Sequence, residues 1–118
     1  MINLQNKSPR LLVIGDLMID QYLWGSCERI SPEAPVQVID VDHESKVLGG
    51  AGNVVNNLKK LGAHVDVLSV VGICDTSNEL RSLLTDIEVD TKYLISQKNR
   101  TSSKKTRIIA SKSYQFKL

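Results

Sequence analysis

The chain has 118 residues, of which 42% are hydrophobic and 24% are charged, and its formal net charge is +2 at pH 7. This composition is typical of an ordinary globular protein, and the length suffices for one modest core, so we expect at most one domain over residues 1–118. A net charge this small provides no argument for binding nucleic acid or a membrane surface.

The first ten residues are polar and lack the apolar centre of a signal peptide, and no apolar run in the sequence is long enough to span a membrane. The two cysteines, Cys27 and Cys74, lie far apart and do not have metal-ligand spacing. We therefore expect a cytoplasmic protein with reduced thiols and no metal site.

The first predicted element is a short buried strand from Arg10 to Gly15, because Leu11 to Ile14 form a continuous apolar run. Asp16 follows at the place where an open α/β sheet binds ligands, just past the carboxyl end of a strand. A carboxylate there can accept hydrogen bonds from sugar hydroxyls. The residues alone slightly favour the other interpretation, an aspartate that stabilises a turn.

The segment that follows predicts irregular β structure. Val36 to Val41 is rich in β-branched residues and partly alternating, and His43 to Leu48 is expected to return beside it as a hairpin. Pro32 and Pro35 keep the preceding residues out of a helix.

The run Gly49-Gly50-Ala51-Gly52-Asn53 precedes a predicted helix from Asn53 to Leu61, which Gly62 ends. The helix has one apolar face, formed by Val54, Val55, Leu58 and Leu61. Glycines and free N–H groups at a helix start suit a polar or anionic ligand. A tight turn before an ordinary surface helix explains the same glycines equally well. Asn53 can bind a sugar hydroxyl, for which it can donate and accept, or cap the helix, and the two roles are compatible.

Val65 to Val71 predicts the next strand, and a helix then continues to Leu84. The residues able to cap that helix are Asp75, Thr76 and Ser77. Strand, β excursion, helix, strand and helix together predict an α/β fold with a parallel sheet, flanking helices and an inserted β piece.

The end of the chain is polar and basic and predicts two short strands, Thr106 to Ala110 and Tyr114 to Leu118, around a turn at Ser111 to Ser113. Lys105 and Arg107 alternate with Thr106, so both are expected on one face of the strand. An Arg fork suits phosphate oxygens, whereas a solvated basic edge that discourages strand pairing explains Lys105 equally well.

The glycine spacing resembles the first signature of the ribokinase-like carbohydrate kinases, also called the PfkB family. The matching positions are Gly49, Gly50, Ala51, Asn53, Gly62 and Gly72. Val55 departs from the signature, which usually has Ala, Ser or Thr there, and the departure concerns packing at the helix start. Three more runs are similar to the heptose-phosphate kinase branch of that family: Val13 to Asp20, Arg29 to Val36 and Lys105 to Ala110.

The resemblance implies a partial ribokinase-like parallel sheet with flanking helices, with its core at about 9–20 and 50–98, and a β lid at about 21–49 and 104–118. In the intact enzyme it implies heptose 7-phosphate as substrate, ATP and Mg²⁺ as cofactors, the 1,7-bisphosphate for lipopolysaccharide core synthesis as product, and a homodimer formed through the lid strands.

The resemblance also assigns site residues. In the family, an aspartate at the position of Asp16 holds the sugar. Gly49 and Gly50 match the hinge of the lid, and Arg107 and Lys105 match the strand near the sugar phosphate.

The Gly-Ala-Gly-Asp anion hole of the family, with its catalytic aspartate, has no match in these residues. Catalytic residues are therefore expected downstream of Leu118, and we expect an inactive N-terminal portion that binds neither ATP nor Mg²⁺ well. The alternatives are a fragment of another ribokinase-like sugar kinase, and a noncatalytic module that self-associates through unpaired strands.

Overall fold

The computed structural model describes residues 8–30, 33 and 35–110, without the side chains of 28–30. In chain order the elements of this part are β1 (Arg10–Ile14), β2 (Leu17–Ile30), β3 (Gln37–Gly50), α1 (Ala51–Lys60), β4 (His64–Val71), α2 (Asp75–Asp86), β5 (Leu94–Ser96) and β6 (Ser103–Ala110). The turn predicted at Ser111 to Ser113 and the strand predicted at Tyr114 to Leu118 lie outside the described residues.

The described residues fall into two compact units. Those within 1–19 and 47–104 form one, which we call the core unit, and those within 20–46 and 105–118 form the other, which we call the β unit. The long strands β2 and β3 each have residues in both units, because the chain leaves the core unit along β2 and returns along β3.

The core unit contains a parallel sheet in the order β1-β4-β5. Arg10 pairs with His64 in the first ladder, and Ser69 pairs with Leu94 in the second. The predicted α/β fold with a parallel sheet is therefore confirmed. Strand β5 is absent from the prediction because its three residues are too few to show an alternating pattern.

The central strand β4 buries alternate side chains, as expected for a strand with one covered face. These are Val65, Val67, Ser69 and Val71. The prediction that β1 is buried is wrong for most of the strand, since Leu12 and Ile14 are 54% and 69% exposed. β1 is an outer strand of the described sheet, and its Val13 packs against the core from one face.

The hydrophobic core lies in the core unit. Its buried members are Leu17, Ile19, Leu48, Val55, Ala63, Val65, Val67, Val71, Leu80, Leu84, Val89 and Leu94. They come from both helices, from strands β4 and β5, from the ends of β2 and β3, and from the connecting segments at Ala63 and Val89. Fully burying one such Val, Leu or Ile side chain contributes about 1.5–3 kcal/mol, so this cluster holds the two helices on one face of the sheet.

Helix α1 begins at Ala51, earlier than predicted. Its N-cap is Gly50, which adopts a left-handed φ of 57°, and no side chain caps the helix. Asn53 therefore lies inside the first turn, where it is exposed, and its predicted capping role is wrong.

The predicted apolar face of α1 is correct only in its middle. Val55 is fully buried and Leu58 packs against the core, but Val54 and Leu61 are 48% and 83% exposed. The valine that departs from the glycine signature is thus a central core residue. Gly62 has a φ of 96° and follows the C-cap residue Leu61, which confirms that it ends the helix.

Helix α2 extends from Asp75 to Asp86, and its N-cap is Cys74 in an extended conformation. The predicted capping residues are wrong, because Asp75 lies in the first turn and Ser77 is turned inward and buried. Asp75 still stabilises the helix start, since a negative charge there faces the positive end of the helix dipole.

The second sheet has the order β3-β2-β6. The hairpin predicted at His43 to Leu48 is wrong, because Gln37–Gly50 is one continuous 14-residue strand. Gly25 is buried where β2 passes β3, and a Cβ at this position would collide with the carbonyl oxygen of Asp40. A glycine is therefore required for the close approach of these two strands.

Candidate functional site

The predicted sugar-binding residues of the core unit meet where β1 ends and α1 begins. The amide of Ala51, the first residue of α1, donates to the Asp16 carbonyl oxygen over 2.9 Å. A Cβ on Gly50 would lie 2.7 Å from that same oxygen, so glycine is needed for space as well as for its positive φ. The structure thus brings Asp16 and Gly50 together through the backbone.

The other two predicted residues of this region flank the junction. Gly49 is buried near the end of β3, and Asn53 is exposed in the first turn of α1. Both lie on elements that the bond between Ala51 and Asp16 fixes in place, within a few residues of that bond.

The Asp16 carboxylate is 82% exposed, and Arg100 lies beside it, with 3.6 Å between Asp16 Oδ1 and Arg100 Nη2. This distance is too long for a good hydrogen bond but allows electrostatic attraction. In the described part of the chain, Arg100 Nε is buried and has no hydrogen-bond partner. Arg100 is missing from the predicted site because its segment is polar and has no periodicity, and no pattern in the sequence marks it.

The backbone of Arg100 is held by the end of strand β4. The Arg100 amide donates to Gln97, whose own amide donates to the Val71 carbonyl oxygen over 2.8 Å. A Cβ on Gly72 would collide with the Arg100 carbonyl oxygen. The last glycine of the predicted signature therefore has a physical role, since it lets the Arg100 segment approach the strand end.

A chain of hydrogen bonds connects Gly72 to Cys74. The Gly72 amide donates to Ser102 Oγ over 2.9 Å, Ser102 Oγ lies 2.7 Å from Ser77 Oγ, and Ser77 Oγ lies 3.2 Å from Cys74 Sγ. Either hydroxyl can be the donor between Ser102 and Ser77, and a Ser77 hydroxyl that donates to the sulfur stabilises the thiolate. The side-chain hydrogen bond from Ser77, with backbone hydrogen bonds from Ser102 and Ser77, lowers the pKa of Cys74 from 9.0 to about 7.

An open cleft of about 290 Å³ adjoins Asp16 in the core unit. Its lining residues are Ile14, Gly15, Asp16, Leu68, Ser69, Val70 and Ile95. Asp16 provides the charge in an otherwise neutral and mainly apolar lining. Such a cleft can hold a small polar molecule by one strong acceptor and by contact with its carbon skeleton.

The predicted phosphate-binding residues lie on β6, in the β unit. Arg107 Nη1 donates to the Tyr22 hydroxyl over 3.2 Å, and the guanidinium carbon lies 5.8 Å from the centre of the Tyr22 ring. The preceding residue, Thr106, donates to Gln21 over 3.0 Å. Thr106 and Arg107 of β6 thus contact the neighbouring residues Gln21 and Tyr22 of β2, and Lys105 is exposed.

The described residues contain no group of three or more His, Cys, Asp or Glu side chains that could hold a metal ion. Both cysteines are unpaired. Among the helices described, none is long and apolar enough to cross a membrane.

Comparison with known proteins gives consistent matches. The sequence matches the pfkB family carbohydrate kinases over residues 8–117. It is 64% identical over 106 residues to the bifunctional protein HldE of Aliarcobacter butzleri, covering 90% of this chain and 22% of that protein. The corresponding values for the bifunctional protein HldE of Helicobacter hepaticus are 56% over 109 residues, 92% and 23%. The chain therefore spans about a fifth of the length of these relatives.

Solved structures of sugar kinases have the same fold. Arabidopsis thaliana ribokinase, complexed with ribose and ATP, superposes with a TM-score of 0.68 at 20% identity, covering 88% of this chain and 33% of that one. Cryptococcus neoformans ribokinase, in complex with ADP, gives 0.62 at 23%, covering 88% and 31%. Identities this low establish the fold alone, and the predicted ribokinase-like fold is confirmed.

Proposed function

The chain belongs to the pfkB family of carbohydrate kinases, and from this premise we propose that it is the N-terminal, sugar-binding portion of an ATP-dependent D-glycero-β-D-manno-heptose-7-phosphate kinase. The product is the 1,7-bisphosphate for lipopolysaccharide core synthesis. The identity to HldE proteins supports this substrate class. The sugar-binding role rests on the hydrogen bond from the Ala51 amide to the Asp16 carbonyl oxygen, which joins Asp16 to the glycine-rich start of α1.

In this proposal Asp16 accepts hydrogen bonds from sugar hydroxyls. Its exposed carboxylate lines the cleft, and Arg100 Nη2 lies 3.6 Å from its Oδ1 atom. Asn53 donates to and accepts from a second hydroxyl. Gly49 and Gly50 provide backbone freedom at the hinge, where Gly50 already has a conformation that other residues rarely adopt.

Arg107 and Lys105 bind the 7-phosphate in the same proposal. Both side chains are exposed on β6, and the guanidinium of Arg107 contacts the uncharged phenol of Tyr22. Its charge is therefore available to a phosphate, which a guanidinium can engage through two oxygens.

ATP and Mg²⁺ belong to the intact kinase in this proposal. The described residues form no group of three or more His, Cys, Asp or Glu side chains that could hold a metal ion, and the proposal assigns none of them to Mg²⁺. ATP supplies the phosphoryl group when it is bound, and no residue of this chain is assigned to it. We propose that the 118-residue chain alone has no kinase activity.

We further propose that the intact enzyme acts in the cytoplasm as a homodimer formed through the strands of the β unit. In the described sheet, β3 and β6 are the outer strands, so each has an edge that another strand can join. Light scattering of the 118-residue chain tests this, because a monomer at all concentrations would contradict association through these strands.

The test of function is a chimera in which this chain replaces the 106 matched residues of the Aliarcobacter butzleri relative. We expect ATP-dependent phosphorylation of heptose 7-phosphate by the chimera and none by the 118-residue chain. A folded chimera that phosphorylates ribose or fructose in preference to heptose 7-phosphate would favour a different sugar kinase. Turnover by the isolated chain would show that its catalytic residues lie within it.

Asp16→Asn in the chimera tests the sugar-binding residue. Losing a charge-assisted hydrogen bond costs about 1.5–3 kcal/mol, so we expect kcat/KM for the sugar to fall roughly 10- to 150-fold. The KM for ATP should not change. Asp20→Asn is the control, because Asp20 has no backbone link to the start of α1 and should leave both values near wild type. Equal losses for sugar and ATP would make Asp16 structural.

A further inference from the structure

Four side chains form a continuous row across the β3-β2-β6 sheet of the β unit. The rings of His43 and Trp24 stack with centroids 4.5 Å apart at an angle of 10°, and those of Trp24 and Tyr22 stack at 5.6 Å and 23°. Arg107, on β6, is the last member of the row. Its guanidinium lies over the Tyr22 ring and donates a hydrogen bond to the Tyr22 hydroxyl. We call these four residues the stacked row.

The row restricts the Arg107 side chain, which has many rotamers of similar energy when it is free in solvent. A guanidinium over an aromatic face is attracted by the negative charge of the ring, and the hydrogen bond to the phenol fixes its rotation as well. Tyr22 is itself half-buried and stacked on Trp24, so it cannot follow a moving guanidinium freely. Arg107 is thus oriented before any ligand binds.

The Tyr22 hydroxyl has a second property that matters for an anion. It accepts its hydrogen bond from Arg107, and a phenol that accepts one bond still has its own proton to donate. A phosphate oxygen beside the Arg107 fork can receive that proton's hydrogen bond. The Arg107 bond uses one of five guanidinium N–H donors, so the pair offers donors of two kinds.

We propose that Tyr22 is a phosphate-binding residue, and that the stacked row presents Arg107 and Tyr22 together as a preorganised site for a phosphomonoester. The inference rests on the proposed function, in which Arg107 binds the 7-phosphate of the sugar. It adds a residue, Tyr22, and a reason why the site depends on the aromatic side chains of β2.

The chain contains a built-in reporter, because its one tryptophan is Trp24. A phosphate that draws Arg107 and Tyr22 toward itself changes the contacts of the Trp24 ring and hence its fluorescence. We therefore expect titration of the 118-residue chain with inorganic phosphate, at constant ionic strength, to give a saturable change in emission. Chloride at the same ionic strength should give none.

The variants are Tyr22→Phe, which keeps the stacked ring but removes the hydroxyl, and Arg107→Lys, which keeps the charge but removes the fork. Tyr22→Phe should weaken phosphate binding about three- to tenfold, the effect of one hydrogen bond, and Arg107→Lys by about tenfold or more. Thr106→Val is the matched control. It removes another side-chain hydrogen bond between β6 and β2, the one to Gln21, and should not alter phosphate affinity.

The outcomes separate the two proposals. If Arg107→Lys weakens binding but Tyr22→Phe does not, the role of Tyr22 is wrong and the proposed function stands. If neither variant changes binding, or if phosphate gives no signal in the folded chain, the phosphate role of Arg107 is wrong too. If Thr106→Val weakens binding as much as Tyr22→Phe, the effect is a general loosening of the sheet, and the role of Tyr22 is again wrong.

A measurement on the unmodified chain covers the case in which Tyr22→Phe does not fold. N-acetylimidazole acetylates tyrosine hydroxyls, and peptide mapping distinguishes Tyr22 from the exposed Tyr93. Phosphate should slow the modification of Tyr22 and leave Tyr93 unaffected. Equal rates at Tyr22 with and without saturating phosphate would overturn the proposal.

Discussion

The core unit and the β unit are held together by different interactions. Every buried hydrophobic residue of the described chain belongs to the core unit, where the two helices cover one face of the parallel sheet. In the described part of the β unit the one buried residue is Gly25, and the contacts are strand pairing, stacked rings and exposed side-chain hydrogen bonds. The difference separates a region built for stability from one that keeps its side chains available.

This difference explains where the proposed ligand contacts lie. The backbone of Asp16 is fixed by a hydrogen bond at the margin of a packed core. Binding a ligand there therefore requires little further loss of backbone entropy. Arg107 has no such core below it and depends on its neighbours in the stacked row. Preorganisation is thus achieved by packing in one unit and by cross-strand contacts in the other.

The largest expected effect tests the contrast in burial. Leu80, on α2, is fully buried, whereas Ile108, on β6, is 59% exposed. Leu80→Ala should lower the free energy of unfolding by about 2–5 kcal/mol, and Ile108→Ala should change it by less than about 0.5 kcal/mol. Urea denaturation followed by circular dichroism measures both. Similar losses for the two variants would mean that the β unit has a core of its own.

A second pair of variants examines the site margin within the core unit. Gly50 and Gly62 both have positive φ, but a Cβ would lie 2.7 Å from the Asp16 carbonyl oxygen at Gly50 and meet nothing within 4 Å at Gly62. Gly62→Ala should therefore cost about 1 kcal/mol of backbone strain, and Gly50→Ala about 1–3 kcal/mol more. Equal unfolding free energies for the Gly50→Ala and Gly62→Ala variants would show that the junction between Asp16 and α1 accommodates a Cβ at no cost in stability.

Much of the core unit could be predicted from the sequence, because burial leaves a periodic pattern. The alternation in β4 and the apolar positions Val55 and Leu58 of α1 were readable in this way. The wrong predictions concern elements whose sequence pattern is not determined by burial. Strand β3 has long exposed stretches, so its sequence does not show that it is one continuous strand. Both helices begin without a capping side chain, so no capping residue marks their first positions.

The candidate site was predictable to the extent that glycine spacing fixes backbone geometry. Gly50 and Gly72 each stand where a Cβ would strike a carbonyl oxygen, and that requirement is visible as a motif. Arg100 and Tyr22 are absent from the predicted site, because their contacts with Asp16 and Arg107 join segments distant in sequence. No local pattern reports which side chain meets Asp16 or Arg107 across the fold.

A smaller effect concerns the thiol of the core unit. The hydrogen bonds that lower the pKa of Cys74 to about 7 stabilise the thiolate, which is the form that reacts with iodoacetamide. Alkylation of Cys74 should rise with pH and be half-maximal near pH 7. Since the folded pKa lies below the ordinary 9.0, this group stabilises the fold increasingly from about pH 7 to 9 and loses that contribution as pH falls through 7.

Ser77→Ala should move the half-maximal pH for Cys74 upward, because Ser77 provides the largest stabilisation of the thiolate. Thr76→Ala, in the adjacent position, should leave it unchanged. Mass spectrometry of the alkylated peptides measures each cysteine separately. If Ser77→Ala does not change the half-maximal pH for alkylation of Cys74, the hydrogen-bond chain is not the cause of the lowered pKa.

The smallest expected effect distinguishes an ion pair of the site from one of the fold. Arg100 and Asp16 lie 3.6 Å apart with an 82% exposed carboxylate, while Lys104 and Glu79 lie 3.2 Å apart and are each 27% exposed. Exposed pairs contribute about 0–1 kcal/mol, and removing Arg100 also removes a buried N–H without a described partner.

Arg100→Met should therefore leave the unfolding free energy nearly unchanged, and Lys104→Met should lower it by up to about 1 kcal/mol. In the chimera, Arg100→Met should still raise the KM for the sugar, because Asp16 loses the charge beside it. A larger stability loss for Arg100→Met than for Lys104→Met would mean that the Asp16–Arg100 pair supports the fold and is not kept for a ligand.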